Sequence, residues 1–475
     1  MDTNEIKNKT IRSIVSLTGR QMISQVIALL TLIPLGLYLS PVALGTFIAV
    51  SAITPFFNFF VELGLGSALI QKKEEPSAED LKTVFTVQTL LVLVIISLGF
   101  LLTGPLSHFA RLTVDGINLY HVLLVVLFIS SLKSIPSILM ERRIAFERQV
   151  IPSIIEQIVY SVVIVFLAYK GFQVASYSWA FIVSAIVGLP IYYYLSPWRI
   201  GVGISKKSLK PLFAYGILYQ SKTFLSLIKD NLLIIVLSGL PRVGQYGLGQ
   251  VGWWKRWAYS PYNFIVNSVT KVTFPTYARV QEDREKLRAG IERSLFVVSL
   301  IMFPIVVAMA LSATKVLAML PKYQVWGPGL PALYFLCAEA ALSSLSGILV
   351  NTLDATGHVK TTSALMIFWI LLIWPLTIVL VNLYGFTGVA AAPFFVSLTV
   401  FLTAYLVNRV VKFNFVGSFI QPLMATVLMG IAMFLVGNLF LSLFIGAIIY
   451  FVSVWLLAKE KLMDNSRVIL AAFKK

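Results

Sequence analysis

The stretch VFTVQTLLVLVIISLGFLLTG, residues 84–104, runs for 21 positions without a charged side chain. A helix needs about 20 predominantly apolar residues to cross a hydrocarbon core of about 30 Å. Lipid offers no partner to backbone N–H and C=O groups, so such a segment is helical. Runs of this kind recur from Val15 almost to Leu457, and no large polar domain is left between them. The whole chain of 475 residues is 58% hydrophobic and only 12% charged, with a mean hydropathy of +0.87. Soluble domains carry roughly 25% charged residues, so a water-soluble fold is excluded. The first run contains Arg20, Gln21 and Gln25 and has no small-residue cleavage site after a short core. It reads as the first spanning helix, not as a removable signal peptide.

Cuts at Pro, Gly and charge clusters predict about fourteen spans with both termini on one side. Connections on that side hold 26 basic residues, from Lys7 to Lys475, against only Arg111, Lys170, Arg242, Lys315 and Lys322 on the other. The positive-inside rule then places both termini in the cytoplasm. Most of the formal net charge of +18 is explained by this topology, and no nucleic-acid partner is expected. The expected organisation is an N-terminal lobe over 1–198, a cytoplasmic linker over 199–210, a C-terminal lobe over 211–411, two further spans over 412–461 and a cytoplasmic tail over 462–475. A faint internal repeat supports the two lobes, with Leu39, Ser40, Gly45 and Phe47 matched by Leu237, Ser238, Gly244 and Tyr246. Repeats of this size are a common transporter plan, with the substrate site between the halves.

Seven basic residues fall within predicted spans: Arg20, Lys133, Lys222, Lys229, Lys255, Arg256 and Lys271. Facing all of them to lipid would cost on the order of 20 kcal/mol on insertion scales, so they should face a cavity or acidic partners. Lys222 and Lys229 share one face of the seventh predicted span. On the eighth, Arg256, Ser260, Asn263, Asn267 and Lys271 form a polar stripe at helical spacing. Snorkelling toward headgroups is the plainer account of Arg20, Lys133 and Lys271, and a poor one for the deeper Lys222, Lys229, Lys255 and Arg256. A cavity lined by ammonium and guanidinium groups suits phosphate, pyrophosphate or acidic sugars, so the substrate-binding candidates are these seven cations with Asn263 and Asn267.

Acidic residues in spans are fewer: Glu62, Glu156, Asp230 and Glu339, with Asp354 closing a helix. Glu62, Asp230 and Glu339 are candidates for coupling to H⁺ or Na⁺, because desolvation and neighbouring charge move a carboxyl toward its working range. A structural ion pair is the competing account, and for Asp230 beside Lys229 it is the favoured one. Trp253, Trp254 and Trp257 suit either sugar stacking or lipid-facing packing. No nucleotide-binding, metalloprotease or nucleophile-elbow motif is present, and the single Cys337 and scattered His108, His121 and His358 make no metal cluster. The expectation is a transporter that is not an enzyme, without a cofactor beyond a coupling ion.

Four segments resemble a known family. They are ELGLGSALIQ (62–71) with its following loop KKEEPSAEDLKTVF, MERRIAFERQV (140–150), VTFPTYARVQEDREKLRAGIER (272–293) and LDATGHVK (353–360). In this order and topology they are similar to the polysaccharide-transporter flippases of the multidrug/oligosaccharidyl-lipid/polysaccharide exporter superfamily, nearest the O-antigen and exopolysaccharide branch. The resemblance implies an all-α membrane fold of two six-helix bundles in a V plus two C-terminal helices, working by alternating access. It further implies an undecaprenyl-pyrophosphate-linked oligosaccharide as substrate, turned from the cytoplasmic to the outer face of the inner membrane with H⁺ or Na⁺ coupling. Membrane lipids, a polysaccharide polymerase and chain-length machinery would be the partners. Glu62 stands where the family often shows Asp, and His358 where Arg is commoner. Lipid-linked peptidoglycan precursors and teichoic-type polymers are alternative cargo. A multidrug exporter is disfavoured by the basic interior, and a membrane polymerase by the short outer loops, Gly104 to Gly116 and Thr314 to Pro331, which are poor in acid and His.

Overall fold

A computed structural model describes residues 3–62, 66, 69–70, 72, 74–205 and 227–473. Some side chains within those ranges, including those of Glu62, Lys229 and Asp230, fall outside the description. Among the described residues the protein is all α-helical with short 3₁₀ and π turns, as the apolar runs require. In chain order the helices are α1 Thr3–Tyr38, α2 Pro41–Ser51, α3 Thr54–Glu62, α4 Ala78–Leu101, α5 Thr103–Phe109, α6 Val114–Leu132, α7 Ser134–Arg142, α8 Phe146–Tyr169 and α9 Val174–Leu195. They continue as α10 Leu233–Gly239, α11 Gly244–Val280, α12 Arg284–Met319, α13 Leu330–Ala355, α14 Val359–Tyr384, α15 Gly388–Ser397, α16 Val400–Val410, α17 Phe415–Leu435 and α18 Leu439–Phe473. A π turn spans Ile228–Leu232 and a 3₁₀ segment Pro321–Gly329.

Among the described residues eleven stretches are long and apolar enough to cross a membrane, so the chain is a multi-pass membrane protein. One of them, Val359–Val410, contains α14 followed by α15 and α16. The polar stripe keeps α11 out of that set despite its 37 residues, and the seventh predicted span lies partly outside the described residues. The count is compatible with fourteen spans.

The chain separates into two compact units, Met1–Gly249 and Gln250–Lys475, with the boundary inside α11. In the first unit α8 packs between α1 and α9, and α9 in turn lies on α6. Its core contains Leu69, Val84, Phe85, Ile135 and Ile138. Residues 199–205 run along the start of α4, where the Gly203 and Ser205 amides donate to Thr86 Oγ1 and Thr83 Oγ1, each at 3.0 Å. In the second unit α12 packs on α13, α17 and α18. Met429, Met433, Tyr450 and Val454 close around Phe296, and the Tyr450 hydroxyl donates to the Leu300 carbonyl at 2.5 Å.

Helix ends follow from local chemistry. Ser77 and Asp80 form a capping box on α4, Ser40 and Thr113 cap α2 and α6, and Asp283 and Asn414 cap α12 and α17. The Lys286 side chain and amide donate to Asp283 and hold its carboxyl below the usual carboxylate range. This cap therefore contributes above the ordinary carboxylate pKa and is lost as pH falls through the lowered value. Four helices end in paired 6→1 and 5→2 backbone bonds with a left-handed residue: Gly171 and Gly357, but also Arg111 (φ 49°) and Ile144 (φ 54°). Left-handed backbone costs an L residue about 1–2 kcal/mol. Arg111 is exposed, so little is lost with its side chain. Arg111→Gly is expected to stabilise the protein by about 1 kcal/mol, read as a rise in apparent melting temperature in detergent.

Candidate functional site

The polar stripe of the eighth predicted span lies on α11. Arg256 and Asn267 are half-buried, Ser260 is buried, and Asn263 and Lys271 are exposed. Pro261 and Pro275 interrupt the backbone donors of the helix within and beyond the stripe. Beside the stripe, Lys255 Nζ sits 5.5 Å from the centre of the Tyr259 ring. The Tyr259 hydroxyl donates to Glu339 Oε2 on α13, and Ser343 Oγ donates to Glu339 Oε1 at 2.9 Å. Glu339 is only 6% exposed. An ammonium, a ring hydroxyl, a buried carboxylate and a serine hydroxyl thus form one chain from α11 to α13. A carboxylate that accepts from two hydroxyls can bind a proton or a small cation with little rearrangement.

Both ends of that chain are fastened. Toward the C-terminus of α11, Asn351 Nδ2 donates to Thr273 Oγ1 at 2.8 Å, and Gly347 leaves room for the Tyr262 hydroxyl and Val266. Toward its start, Trp254 Nε1 and Gln250 Nε2 donate to the carbonyls of Trp326 and Val325 at 3.0 and 2.7 Å. Trp253 is 1% exposed and stacks on Trp326 with ring centres 4.4 Å apart. This corrects the two accounts given to Trp253 from sequence. Trp253 neither meets lipid nor offers a face to a sugar, because the 3₁₀ segment covers it.

In the first unit Lys133 occupies the break between α6 and α7. Its ammonium contacts Glu156 Oε1 on α8 at 2.6 Å and lies 5.7 Å from the centre of the Tyr192 ring on α9. Ser153 Oγ and the Tyr192 hydroxyl are 3.4 Å apart. Arg20 itself is half-buried on α1. Sequence reading selected Arg20 and Lys133 as cations but did not join Glu156 to them. The available signal was weak: a lone Glu in an otherwise apolar span, 23 residues from its partner.

Of the other candidates, Lys222 lies outside the described residues, as do the side chains of Lys229, Asp230 and Glu62. The backbone of Lys229 and Asp230 forms the π turn Ile228–Leu232, a feature frequent at functional sites. Glu62 ends α3.

Each of the four family-like segments lies at a helix junction. Arg142, in the second, donates from Nη1 to the carbonyls of Leu69 and Ile70 at 2.6 and 3.1 Å and from Nη2 to that of Glu74 at 2.6 Å, all in the first segment and its loop. Lys72 pairs with Asp80 at 2.5 Å. In the third, the Tyr277 hydroxyl donates to Ser294 Oγ at 2.7 Å across the α11–α12 turn. In the fourth, Thr362 Oγ1 donates to Asp354 Oδ1 at 2.7 Å across the left-handed Gly357.

The profile of the family described as "Polysaccharide biosynthesis protein" matches residues 37–322, more than half of the chain. The chain is 22% identical over 250 residues to the lipopolysaccharide biosynthesis protein WzxC of Escherichia coli (strain K12), covering 50% of this chain and 49% of WzxC. It is 22% identical over 340 residues to the succinoglycan biosynthesis transport protein ExoT of Rhizobium meliloti (strain 1021), covering 70% and 66% of the two chains. The match thus spans about half the length of WzxC and just under two thirds of ExoT. Among solved structures the chain is similar to the lipid II flippase MurJ in an inward closed conformation, with a TM-score of 0.75 and 16% identity over 94% of this chain and 99% of that one. An inward-facing multidrug resistance MATE family transporter of the MOP superfamily gives 0.61 and 16% over 83% and 98%. At these identities the structural likeness shows the fold alone. With the profile match over more than half its length, the chain belongs to the polysaccharide biosynthesis protein family.

Proposed function

We propose that this protein is a flippase for lipid-linked oligosaccharide, carrying undecaprenyl-pyrophosphate-linked repeat units from the cytoplasmic to the outer face of the inner membrane by alternating access. Both termini face the cytoplasm in this reading, and the protein transports without catalysing a bond change. The observation that carries the proposal is the polar stripe Arg256, Ser260, Asn263, Asn267 and Lys271 along α11 of a polysaccharide-family membrane protein, with Lys255 beside it. Cations held at membrane depth suit a pyrophosphate group, and the aligned amides and hydroxyl suit sugar hydroxyls. Arg20, Lys133, Lys222 and Lys229 complete the proposed anion-handling set. The test is the side on which a lipid-linked intermediate accumulates in cells lacking the protein. Cytoplasmic accumulation supports the proposal, and normal outer exposure overturns it.

Glu339, Glu62 and Asp230 are the proposed sites of H⁺ or Na⁺ coupling. Glu339→Gln keeps one acceptor oxygen for one of the two hydroxyls, of Tyr259 and Ser343, turns an amide donor toward the other, and removes the ionisable group. Translocation driven by an imposed H⁺ or Na⁺ gradient in proteoliposomes is expected to fall by about tenfold, within the usual range of coupling energies. Unchanged gradient dependence would remove Glu339 from the set.

A further inference from the structure

We propose that Glu156 is a resident competitor for the anion-binding cations of the first unit: it occupies Lys133 when no substrate phosphate is present and retakes it when the phosphate leaves. The inference rests on the flippase reading and adds a release device to it.

The geometry has three parts. First, Lys133 stands where the helix is interrupted, its amide donating to Ser130 and not four residues back, so its side chain leaves a broken turn. Second, its ammonium is engaged by the Glu156 carboxylate, yet the pair is not sealed, with the two side chains 12% and 23% exposed. Third, the carboxylate occupies a place made by a missing side chain. A Cβ on Gly188 of α9 would fall 1.6 Å from Glu156 Oε1, so glycine there is what admits the acid. The groups that meet Glu156 from the packed elements are Lys133 at the α6–α7 break, whose ammonium also lies over the Tyr192 ring of α9, and Gly188 of α9. Gln157 Nε2 donates to the Ser24 carbonyl at 2.8 Å and fixes α8 against α1 one turn from Arg20.

With Glu156 in place the Lys133 ammonium is neutralised. A carboxylate presents the same pair of acceptor oxygens that a phosphate does, so the two compete for one ammonium. A pyrophosphate meets Lys133 only if Glu156 gives it up. The returning carboxylate then lowers the affinity that would otherwise hold a doubly charged anion in place, and it keeps Lys133 from being left unpaired at membrane depth.

The test uses the purified full-length protein in detergent, titrated calorimetrically with inorganic pyrophosphate. Glu156→Gln is expected to bind pyrophosphate about tenfold tighter than wild type, the scale of a close charge pair removed, and adding Lys133→Met is expected to abolish that gain. Equal or weaker binding by Glu156→Gln overturns the proposal. Should that variant fail to fold, Glu156→Asp serves: one methylene shorter, it loosens its hold on Lys133 and is expected to bind more tightly than wild type, and equal or weaker binding again overturns the proposal. Wild-type protein that binds neither pyrophosphate in detergent nor undecaprenyl pyrophosphate in nanodiscs removes the flippase reading itself. Wild-type binding that Glu156→Gln leaves unchanged removes only the competitor.

Discussion

Gly45→Ala is expected to destabilise the protein by about 3 kcal/mol or more, among the largest effects of any single methyl group in the chain. Near its start α11 crosses α2 with backbone against backbone. A Cβ on Gly45 would lie 1.6 Å from the Gln245 carbonyl oxygen, and one on Gly249 would lie 1.7 Å from that of Pro41. Neither obstacle is a side chain that can rotate away, so the helices must separate. Separation also breaks the bonds that flank the crossing, Thr46 Oγ1 to Gln245 Oε1 at 2.8 Å and Gln245 Nε2 to the Arg111 carbonyl at 2.9 Å. Close small-residue crossings of this type depend on van der Waals contact, because lipid supplies no hydrophobic drive between helices. Gly249→Ala should behave alike. Gly104→Ala is the control: nothing lies within 4 Å of its Cβ, and its effect should stay within about 0.5 kcal/mol. Apparent melting temperatures in detergent check all three, and equal melting of Gly45→Ala and Gly104→Ala would refute the crossing.

Arg142→Ala should cost about 4 kcal/mol. Its guanidinium satisfies three carbonyls, and charged donors contribute about 1.5–3 kcal/mol each before solvent recovers part of the loss. Leu69 is fully buried, so its carbonyl has no ready water once the arginine is gone. Arg142→Lys keeps the charge but lacks the fork that spans both sides of the loop, and about half the loss is expected. Arg143 is exposed, and Arg143→Ala should change stability by less than about 0.5 kcal/mol. The contrast between adjacent arginines, read by thermal melting and by protease sensitivity around residue 74, separates a specific clasp from general loss of charge.

The fold class was legible because apolar length is a local property, and stretches such as residues 84–104 carry it without reference to any other part of the chain. The stripe on α11 was legible for the same reason, since its spacing lies within one helix. What could not be read was pairing at a distance. Lys133 and Glu156 are 23 residues apart and Gly188 lies 32 further on, so no periodicity links them. Trp253 was left between sugar stacking and lipid-facing packing because Trp326, which covers it, sits in a 3₁₀ segment with no pattern that announces a stacking partner. The family-like segments were read as marks of function. In the structure they are braces at helix junctions, where Arg142, Asp80, Tyr277 and Asp354 satisfy backbone and hydroxyl groups that a turn would leave open.

Lys315 Nζ donates to the carbonyls of Met433 and Val436 at 2.9 and 2.6 Å, where α17 ends. The exposed carbonyls of a helix terminus carry about half a negative elementary charge, so the close-range field and the donors of this lysine are taken up by that terminus. The donors of Arg142 are taken up likewise by the three carbonyls it holds. The peptide groups are neutral overall, so both residues still count in the formal +18 that steers an anion from within a Debye length. Their donors are already used, and direct contact with an anionic headgroup then falls to the other basic residues.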